Sequence, residues 1–211
     1  MIEGIASVVL AAGRGTRFGA APKLLAPLDG RPLVRHAVEA ALAARPRPVV
    51  VVLGAHANGV RAALGGLDLI FVENPDFAEG LSTSLRAGLA ALPPASSAAV
   101  VLLGDMPRVA GAQIDRLAEA FATAGDGPSA VVPMQGGRRG NPVLLNLRLL
   151  GEAVAGLRGD RGAGPLLTGR ADVLEIAGDA ATMLDVDTAA ALAALRDTGR
   201  PDASEPRAAA S

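Results

Sequence analysis

The segment 49–53 is an unbroken run of four valines and one leucine. β-branched side chains without a polar alternation are typical of a strand that is buried on both faces. Such strands belong mainly to parallel sheets with helices on both sides, because an antiparallel sheet with one wet face shows an alternating pattern. This run therefore predicts an α/β fold.

Other apolar runs along the chain alternate with segments of helical period. Val34, Val38, Ala41 and Leu42, for example, recur at the spacing of one helix face. Strands that alternate with helices build right-handed βαβ units. We therefore predict a Rossmann-like three-layer α/β/α fold with a mostly parallel central sheet. The predicted strands are 5–10, 49–53, 67–72, 98–103, 130–134, 143–145 and 173–176, and the predicted helices are 32–44, 58–64, 81–92, 111–124, 147–157, 166–167 and 189–195.

The pattern changes after residue 129. Gly136 and Gly137 signal a turn, so we expect 143–145 to return as a partner strand and this part of the chain to cover one face of the site. With 211 residues the chain can build one sizeable core. We expect a single domain over 1–198 and a flexible tail over 199–211, where apolar periodicity ends.

The composition excludes several classes of function. A net charge of −1 provides no global basic field for a nucleic-acid partner. The absence of cysteine excludes disulfides, thiolate metal ligands and a cysteine nucleophile. No segment approaches the roughly 18 apolar residues that span a bilayer, and the N-terminus lacks a signal-peptide pattern. We expect a cytoplasmic protein without a membrane partner. Because aromatic residues make up only 2% of the chain, we expect backbone or small polar groups to recognise any base.

A glycine-rich, cationic loop over residues 10–23 follows the first predicted strand. Glycines let the backbone approach a ligand closely, and positive charge at the end of a strand suits a bound phosphate chain. An ordinary solvated surface loop is the alternative. The glycines and cations that carry the phosphate hypothesis are Gly13, Arg14, Gly15, Arg17 and Lys23.

Two familiar nucleotide motifs do not match this loop. Phe18 stands where G-x-G-x-x-G needs its third glycine, so the dinucleotide-binding pattern fails. The P-loop pattern fails as well, because the chain lacks a Gly-Lys-Ser/Thr triplet here. The loop is therefore predicted to hold phosphate in another way.

Carboxylates occur at two places that could reach the same edge of the sheet. Asp105 directly follows the apolar run 98–103, and Gly104 precedes it. Ligands bind at the carboxyl edge of open α/β sheets, and Mg²⁺ prefers carboxylate and phosphate oxygens. Asp185 and Asp187 point to the same side of an extended segment, and one of them, Asp187 in preference, could complete the metal site. Asp105 could instead cap a turn, and Asp187 or Thr188 could cap the last helix.

Three further segments are weaker candidates for binding. The hydroxyls of Ser82, Thr83 and Ser84 crowd a predicted helix N-terminus, where they could cap the helix or contact a ribose, base or phosphate. Two glycine- and arginine-containing turns, at 136–142 and 159–162, could hold a second anionic substrate. Neither His36 nor His56 has an evident serine or cysteine partner, so a catalytic histidine is not expected.

With these motifs assembled, the chain resembles the molybdenum cofactor nucleotidyltransferases, within the wider group that activates sugars and cofactors with NTPs. The resemblance covers roughly 5–195, nearly the whole domain. It rests on the LAAG-x-G-x-RFG…K pattern from Leu10 to Lys23, NPDFAEGLSTSL from Asn74 to Leu85, GDMP from Gly104 to Pro107, GNPV from Gly140 to Val143, and DVDT from Asp185 to Thr188. Phe18, where methionine is usual, and Ala189, where proline is usual, depart from the pattern without removing a charge.

The resemblance implies transfer of CMP from CTP to the terminal phosphate of the molybdenum cofactor, with release of pyrophosphate. It implies Mg²⁺ or Mn²⁺ as cofactor and a recipient molybdoenzyme of the xanthine dehydrogenase type as partner. Ala12 stands where cytidylyl-type members have alanine and guanylyl-type members tend to have glycine. The expected site comprises catalytic Lys23, Arg14 and Asp105; nucleotide-binding Leu10, Ala11, Ala12, Gly13, Arg14, Gly15, Lys23, Ser82, Ser84 and Gly104; metal-binding Asp105 and Asp187; and second-substrate-binding Arg139, Asn141, Asp160 and Arg161.

Three other activities stay open at this point. The first is a guanylyl- or other small-phosphate nucleotidyltransferase on the same fold. The second is a related NAD(P)-dependent reductase, against which the broken dinucleotide motif argues. The third is a carrier that binds the cofactor without catalysis.

Overall fold

The computed structural model describes residues 4–19, 21–125 and 127–198. The predicted tail at 199–211 lies outside the described residues. The strands are β1 Ile5–Ala11, β2 Pro27–Leu28, β3 Arg31–Pro32, β4 Val49–Leu53, β5 Ile70–Glu73, β6 Ala98–Leu103, β7 Ala130–Gln135, β8 Arg138–Arg139, β9 Val143–Asn146 and β10 Val173–Ala177. The α-helices are α1 Leu33–Ala43, α2 Ala57–Ala63, α3 Leu81–Ala90, α4 Gly111–Thr123, α5 Leu147–Ala155, α6 Gly164–Leu167 and α7 Ala189–Thr198.

Within the described residues, eight strands form one mixed sheet, mostly parallel, in the order β10-β7-β9-β6-β1-β4-β5, with β8 added to β7. β1 lies between β4 and β6 and is parallel to both. β9 runs antiparallel to β6 and β7, so the predicted return strand is confirmed. The carboxyl ends of β1, β4 and β6 therefore meet at one edge of the sheet.

Helices cover both faces of the sheet. On one face, α1, α2 and α4 bury Val38, Val60 and Leu117 against the strands. On the other face, α3 and α5 bury Leu85 and Leu150. The valines of 49–53 alternate between these two cores, and each is at most 2% exposed. The three-layer α/β/α prediction is confirmed.

Several predicted boundaries differ from the structure. Residues 67–69 are not strand, because Leu67 donates its backbone N–H to Leu64 and finishes the turn after α2. Pairing with β4 begins only at Ile70. α5 ends at Ala155, two residues earlier than predicted. A short hairpin of β2 and β3 occupies residues 27–32, where no strand was predicted.

Among the described residues, no helix combines the length and the apolar character that crossing a membrane requires.

Candidate active site

A cleft of about 550 Å³ opens at the carboxyl edge of the sheet, at the ends of β1 and β6. The glycine-rich loop forms one wall, the segment 77–84 forms a second, and the segment before α7 contributes two aspartates. The predicted site residues that line it are Leu10, Ala12, Gly13, Arg14, Gly15, Lys23, Ser84, Asp105, Asp160 and Asp187.

The glycine-rich loop folds back tightly over Lys23. Gly15 adopts a left-handed conformation, with a φ of 63°, before the single 3₁₀ turn Thr16–Phe18. A Cβ atom at position 15 would lie 2.8 Å from Cβ of Lys23. Glycine is required here by both the dihedral angle and the close approach. Lys23 is thereby held with its stem against the loop.

The ammonium of Lys23 bridges two carboxylates from distant parts of the chain. Nζ donates to Oδ2 of Asp105 at 2.5 Å and to Oδ1 of Asp187 at 3.1 Å. The lysine side chain is only 11% exposed. Burial by itself lowers the pKa of Lys23, but the charges of the two aspartates and their hydrogen bonds outweigh it and raise the pKa above its ordinary value. The lysine is therefore a fixed positive charge at neutral pH.

Asp105 has one carboxylate oxygen in use and one free. Oδ2 accepts from Lys23, whereas Oδ1 is buried and has no hydrogen-bond partner among the described residues. The alternative that Asp105 caps a turn does not hold, because neither oxygen accepts a backbone N–H within the described part of the chain. A buried oxygen without a partner is costly unless a ligand completes it.

Asp187 belongs to the segment that leads into α7. Oδ2 of Asp187 accepts from Arg17 at 2.6 Å, so the glycine-rich loop is tied to this segment twice. Thr188 caps the helix instead, because its hydroxyl accepts the backbone N–H of Ala191. Asp187 is therefore not used as the cap of α7, and its side chain lines the cleft, as does Asp185.

These residues fit a divalent metal that is held partly by substrate. Asp105 offers an unpartnered, buried carboxylate oxygen, and Asp187 offers a half-exposed carboxylate beside it. No group of three or more His, Cys, Asp or Glu side chains with the arrangement of a metal site occurs among the described residues. Mg²⁺ commonly takes one or two carboxylates together with substrate phosphate oxygens and water. The donor set is of that kind.

Phe77 lines the cleft, which sequence reasoning missed. The guanidinium carbon of Arg14 lies 5.5 Å from the centre of its ring. A cation at this distance is attracted by the face of an aromatic ring. Phe77 therefore holds Arg14 at the wall of the cleft. Aromatic residues make up only 2% of the chain, so the composition did not indicate an aromatic side chain in the site.

The hydroxyls at the start of α3 serve different purposes. The hydroxyl of Thr83 donates to carbonyl oxygens of the preceding turn, and the side-chain amide of Asn74 donates to both Thr83 and Ser84. Ser84 lines the cleft. Ser82 is fully buried, and its hydroxyl has no partner among the described residues. The N-cap residue of α3 is Gly80, so none of the three hydroxyls caps the helix. Thr83 is occupied by the preceding turn, while Ser82 and Ser84 retain capacity to accept or donate.

The segment 158–162 closes one end of the cleft against α3. The backbone N–H of Ser82 donates to the carbonyl of Gly159. A Cβ atom at Gly80, where φ is 114°, would lie 2.3 Å from the carbonyl carbon of Gly159. Asp160 lines the cleft beyond this contact, whereas Arg161 is exposed and does not line it.

A second, smaller pocket of about 230 Å³ adjoins the first and shares Leu10, Leu81 and Leu103 with it. Arg139 and Asn141 line this pocket among mainly apolar side chains. The guanidinium of Arg139 donates to Glu175 and to the carbonyl of Leu167. Part of its capacity to bind an anion is thus already used.

Three predicted nucleotide-binding residues do not line the cleft: the buried Ser82, Ala11 and Gly104. Ala11 is 2% exposed and packs into the core with α1 and α4. Gly104 lies behind the cleft, where a Cβ atom would approach the carbonyl oxygen of Leu10 to 3.1 Å. Its backbone N–H donates to that same oxygen. Gly104 thus holds the ends of β1 and β6 close together beside Asp105.

The described fold and site define a nucleotidyltransferase-type α/β domain. The family model that describes the MobA-like NTP transferase domain matches residues 7–175. The chain belongs to this family.

Solved structures agree over almost the whole chain. The protein Rv0371c of Mycobacterium tuberculosis H37Rv is 33% identical, with a TM-score of 0.77 over 92% of this chain and 98% of that one. A structure of Rv0371c in complex with manganese gives 32% identity and a TM-score of 0.76 over the same shares. A nucleotidyl transferase from Methanothermobacter is 28% identical, with a TM-score of 0.78 over 92% of this chain and 96% of that one.

The curated relatives are much longer proteins. The bifunctional protein GlmU of Kineococcus radiotolerans is 44% identical over 124 residues, which are 57% of this chain. The matched part covers 25% of the length of that relative. This chain therefore corresponds to only one portion of GlmU.

Proposed function

We propose that this chain transfers CMP from CTP to the terminal phosphate of the molybdenum cofactor and releases pyrophosphate. The observation that carries the proposal is the bridge from Lys23 to Asp105 and Asp187 beneath a glycine-rich loop. Family membership supports nucleotidyl transfer in general. Ala12, which lines the cleft, supports cytidine as the base.

The reaction forms a bond between an oxygen of the acceptor phosphate and the α-phosphorus of CTP. The bond from that phosphorus to the oxygen bridging to the β-phosphate breaks, and pyrophosphate leaves with the electron pair. Positioning and neutralisation of charge do most of the work in such transfers. The acceptor phosphate is already an anion, so the site needs no general base, and the two histidines stay outside it.

The cationic side chains of the loop would hold the triphosphate. Lys23 and Arg14 both line the cleft, together with Gly13 and Gly15 of the same loop. Phe77 limits the movement of Arg14, which reduces the entropy that binding costs. These groups would stabilise the negative charge that builds up on the departing pyrophosphate.

Asp105 and Asp187 would hold Mg²⁺ or Mn²⁺ against the α-phosphate. When bound, such an ion neutralises phosphoryl charge and acts as a Lewis acid. The free Oδ1 atom of Asp105 supports this role. The manganese complex of the Mycobacterium relative supports a divalent ion in this fold.

The acceptor would enter from the side of the second pocket. Arg139 and Asn141 line that pocket, and Asp160 lines the adjoining cleft. These three residues, together with the neighbouring Arg161, are proposed as contacts of the acceptor. The product would pass to a molybdoenzyme of the xanthine dehydrogenase type. Neither a nucleic acid nor a membrane enters this proposal.

A pyrophosphate-release assay tests the proposal. The full chain is mixed with Mg²⁺, the molybdenum cofactor and one nucleoside triphosphate at a time. Release that depends on both CTP and the cofactor supports it. Pyrophosphate release with GTP but with no other nucleotide would show a guanylyltransferase instead. Binding of the cofactor without pyrophosphate release would show a non-catalytic carrier.

A second candidate is transfer to a different, compact phosphate acceptor. The second pocket holds only about 230 Å³, below the usual range of roughly 300 to 1,000 Å³ for ligand pockets. Its walls are mostly apolar, whereas a pterin carries many polar atoms that need partners. Release with small sugar or alcohol phosphates, but not with the molybdenum cofactor, would favour this candidate.

A further inference from the structure

Lys23 is the only lysine in the chain, and every other strongly basic side chain is an arginine. This one ammonium group lies between the two carboxylates that fit a metal, at 2.5 Å from Asp105 and 3.1 Å from Asp187. An ammonium is a compact point charge, unlike the planar guanidinium. It can therefore occupy the space between two carboxylates much as a small cation does.

We propose that Lys23 is the resident counter-cation of the Asp105–Asp187 pair, and that a divalent metal must displace its ammonium in order to bind. This inference rests on the metal-binding part of the proposed function, and it is independent of which base and acceptor are used. The Lys23 side chain is mostly buried, so its single positive charge offsets part of the charge of the two carboxylates in a partly desolvated place. Arg17 adds a second cation at the more exposed Asp187. Two cations at the same pair would repel each other strongly.

The ammonium of Lys23, once displaced by a metal, can move to a new position in the cleft. Cβ of Lys23 lies close to Gly15, and Lys23 lines the cleft beside the glycine-rich loop, so a displaced ammonium stays within reach of that cleft. A triphosphate in the cleft offers that ammonium a new anionic partner. Metal alone offers none. Metal binding is therefore weak before the nucleotide arrives and becomes strong with it, which couples the two ligands.

Binding of Mn²⁺ without nucleotide tests the competition directly. Free Mn²⁺ is followed by its electron paramagnetic resonance during titration of the full chain. We expect Lys23→Met to bind Mn²⁺ about tenfold more tightly than the unsubstituted chain, because a nearby positive charge has gone. The matched control is Arg61→Met, which also removes one cation from an ion pair, with Glu73, outside the cleft. Its affinity for Mn²⁺ should equal that of the unsubstituted chain.

The double variant Lys23→Met/Asp105→Asn shows where the additional affinity for Mn²⁺ arises. If the extra affinity arises at the carboxylate pair, it disappears in this variant. Equal or weaker Mn²⁺ binding by Lys23→Met overturns the proposal, and so does a gain that survives in the double variant. Circular dichroism checks that each variant is folded, and Lys23→Gln replaces Lys23→Met if the latter does not fold.

The single lysine allows a second readout that needs no substitution. Protein labelled with ¹³C and ¹⁵N in lysine alone gives a single Nζ signal in NMR spectra, because the chain has one lysine. Saturating Mg²⁺ should shift this signal as the ammonium leaves the aspartates. A signal that stays in place while Mg²⁺ binds overturns the proposal. Neither experiment contains CTP or an acceptor, so the outcome is separable from that of the pyrophosphate assay.

Discussion

Nζ of Lys23 lies 2.5 Å from Oδ2 of Asp105, although 82 positions separate the two residues in the sequence. The contact brings the glycine-rich loop after β1 against the carboxyl end of β6, its neighbour in the sheet. Adjacent parallel strands make such a contact geometrically simple, because their carboxyl ends lie side by side. The proposed active site depends on this contact between Lys23 and Asp105.

Replacement of Asp105 by asparagine should lower turnover by about 10²-fold or more, as loss of an electrostatic group in an active site commonly does. The substitution keeps the shape of the side chain but removes its negative charge, which pairs with Lys23. It also removes the carboxylate oxygen that has no partner. Steady-state pyrophosphate release measures the change. Asp172→Asn is the matched control, since Asp172 pairs with Arg170 outside the cleft. Turnover near that of the control would contradict a role for Asp105.

The ion pairs of Lys23 should stabilise the fold up to high pH. Because the pKa of Lys23 is raised in the folded state, this stabilisation is complete below the unfolded pKa of about 10.4 and is lost as the pH rises through the folded value. The measurement is the free energy of unfolding of the unsubstituted chain minus that of Lys23→Met, from pH 7 to about pH 11.5.

The chain suits this titration because it contains no tyrosine, no cysteine and no other lysine. The difference should be constant up to about pH 10 and shrink above it. A difference that stays constant up to about pH 11.5, or that grows above about pH 10, would mean that the pKa of Lys23 is not raised.

Replacement of Phe77 by leucine should raise the KM for the nucleotide about two- to fivefold, since the ring attracts Arg14 by roughly 0.5 to 1 kcal/mol. The rate constant kcat should change less, because Arg14 itself remains. Phe71→Leu provides a close control: Arg61 lies 4.8 Å from the centre of that ring, outside the cleft. Equal KM values for the two variants would show that Phe77 does not position Arg14.

Replacement of Gly80 by alanine should unfold the domain at a lower temperature and displace the 158–162 segment. The new Cβ atom would meet the carbonyl carbon of Gly159 at 2.3 Å, and the φ of 114° is unfavourable for alanine. Gly66→Ala has a positive φ of 81° but no neighbour within 4 Å. It should cost only the dihedral strain, about 1 to 3 kcal/mol. Similar melting temperatures for the two variants would argue against the close contact.

Much of the fold follows from local pattern. The unbroken apolar run at 49–53 and the spacing of Val34 and Val38 specify a central strand and a helix face without tertiary information. The predicted start of the strand at 67–72 is wrong, because apolar residues alone do not show where hydrogen bonding to the neighbouring strand β4 begins. The β2–β3 hairpin was missed because each of its strands has only two residues.

The site was predictable only in part. Gly15, Lys23 and Asp105 are recognisable in sequence because each belongs to a compact motif. The pairing of Arg17 with Asp187, which are 170 positions apart, depends on how α7 packs beside the loop. The position of Phe77 in the cleft depends on the fold of the turn before α3. Phe77 belongs to the NPDF segment, and this motif is the sequence signal that marks it.

The central claim is nucleotidyl transfer at the cleft that Lys23, Asp105 and Asp187 share. The most direct test is pyrophosphate release from CTP by the full chain with Mg²⁺ and the molybdenum cofactor, compared with Asp105→Asn under the same conditions. The account predicts release that requires CTP, metal and acceptor together and that falls by about 10²-fold or more in the variant. Release that is absent with every nucleotide and phosphate acceptor, or unchanged in Asp105→Asn, would contradict it.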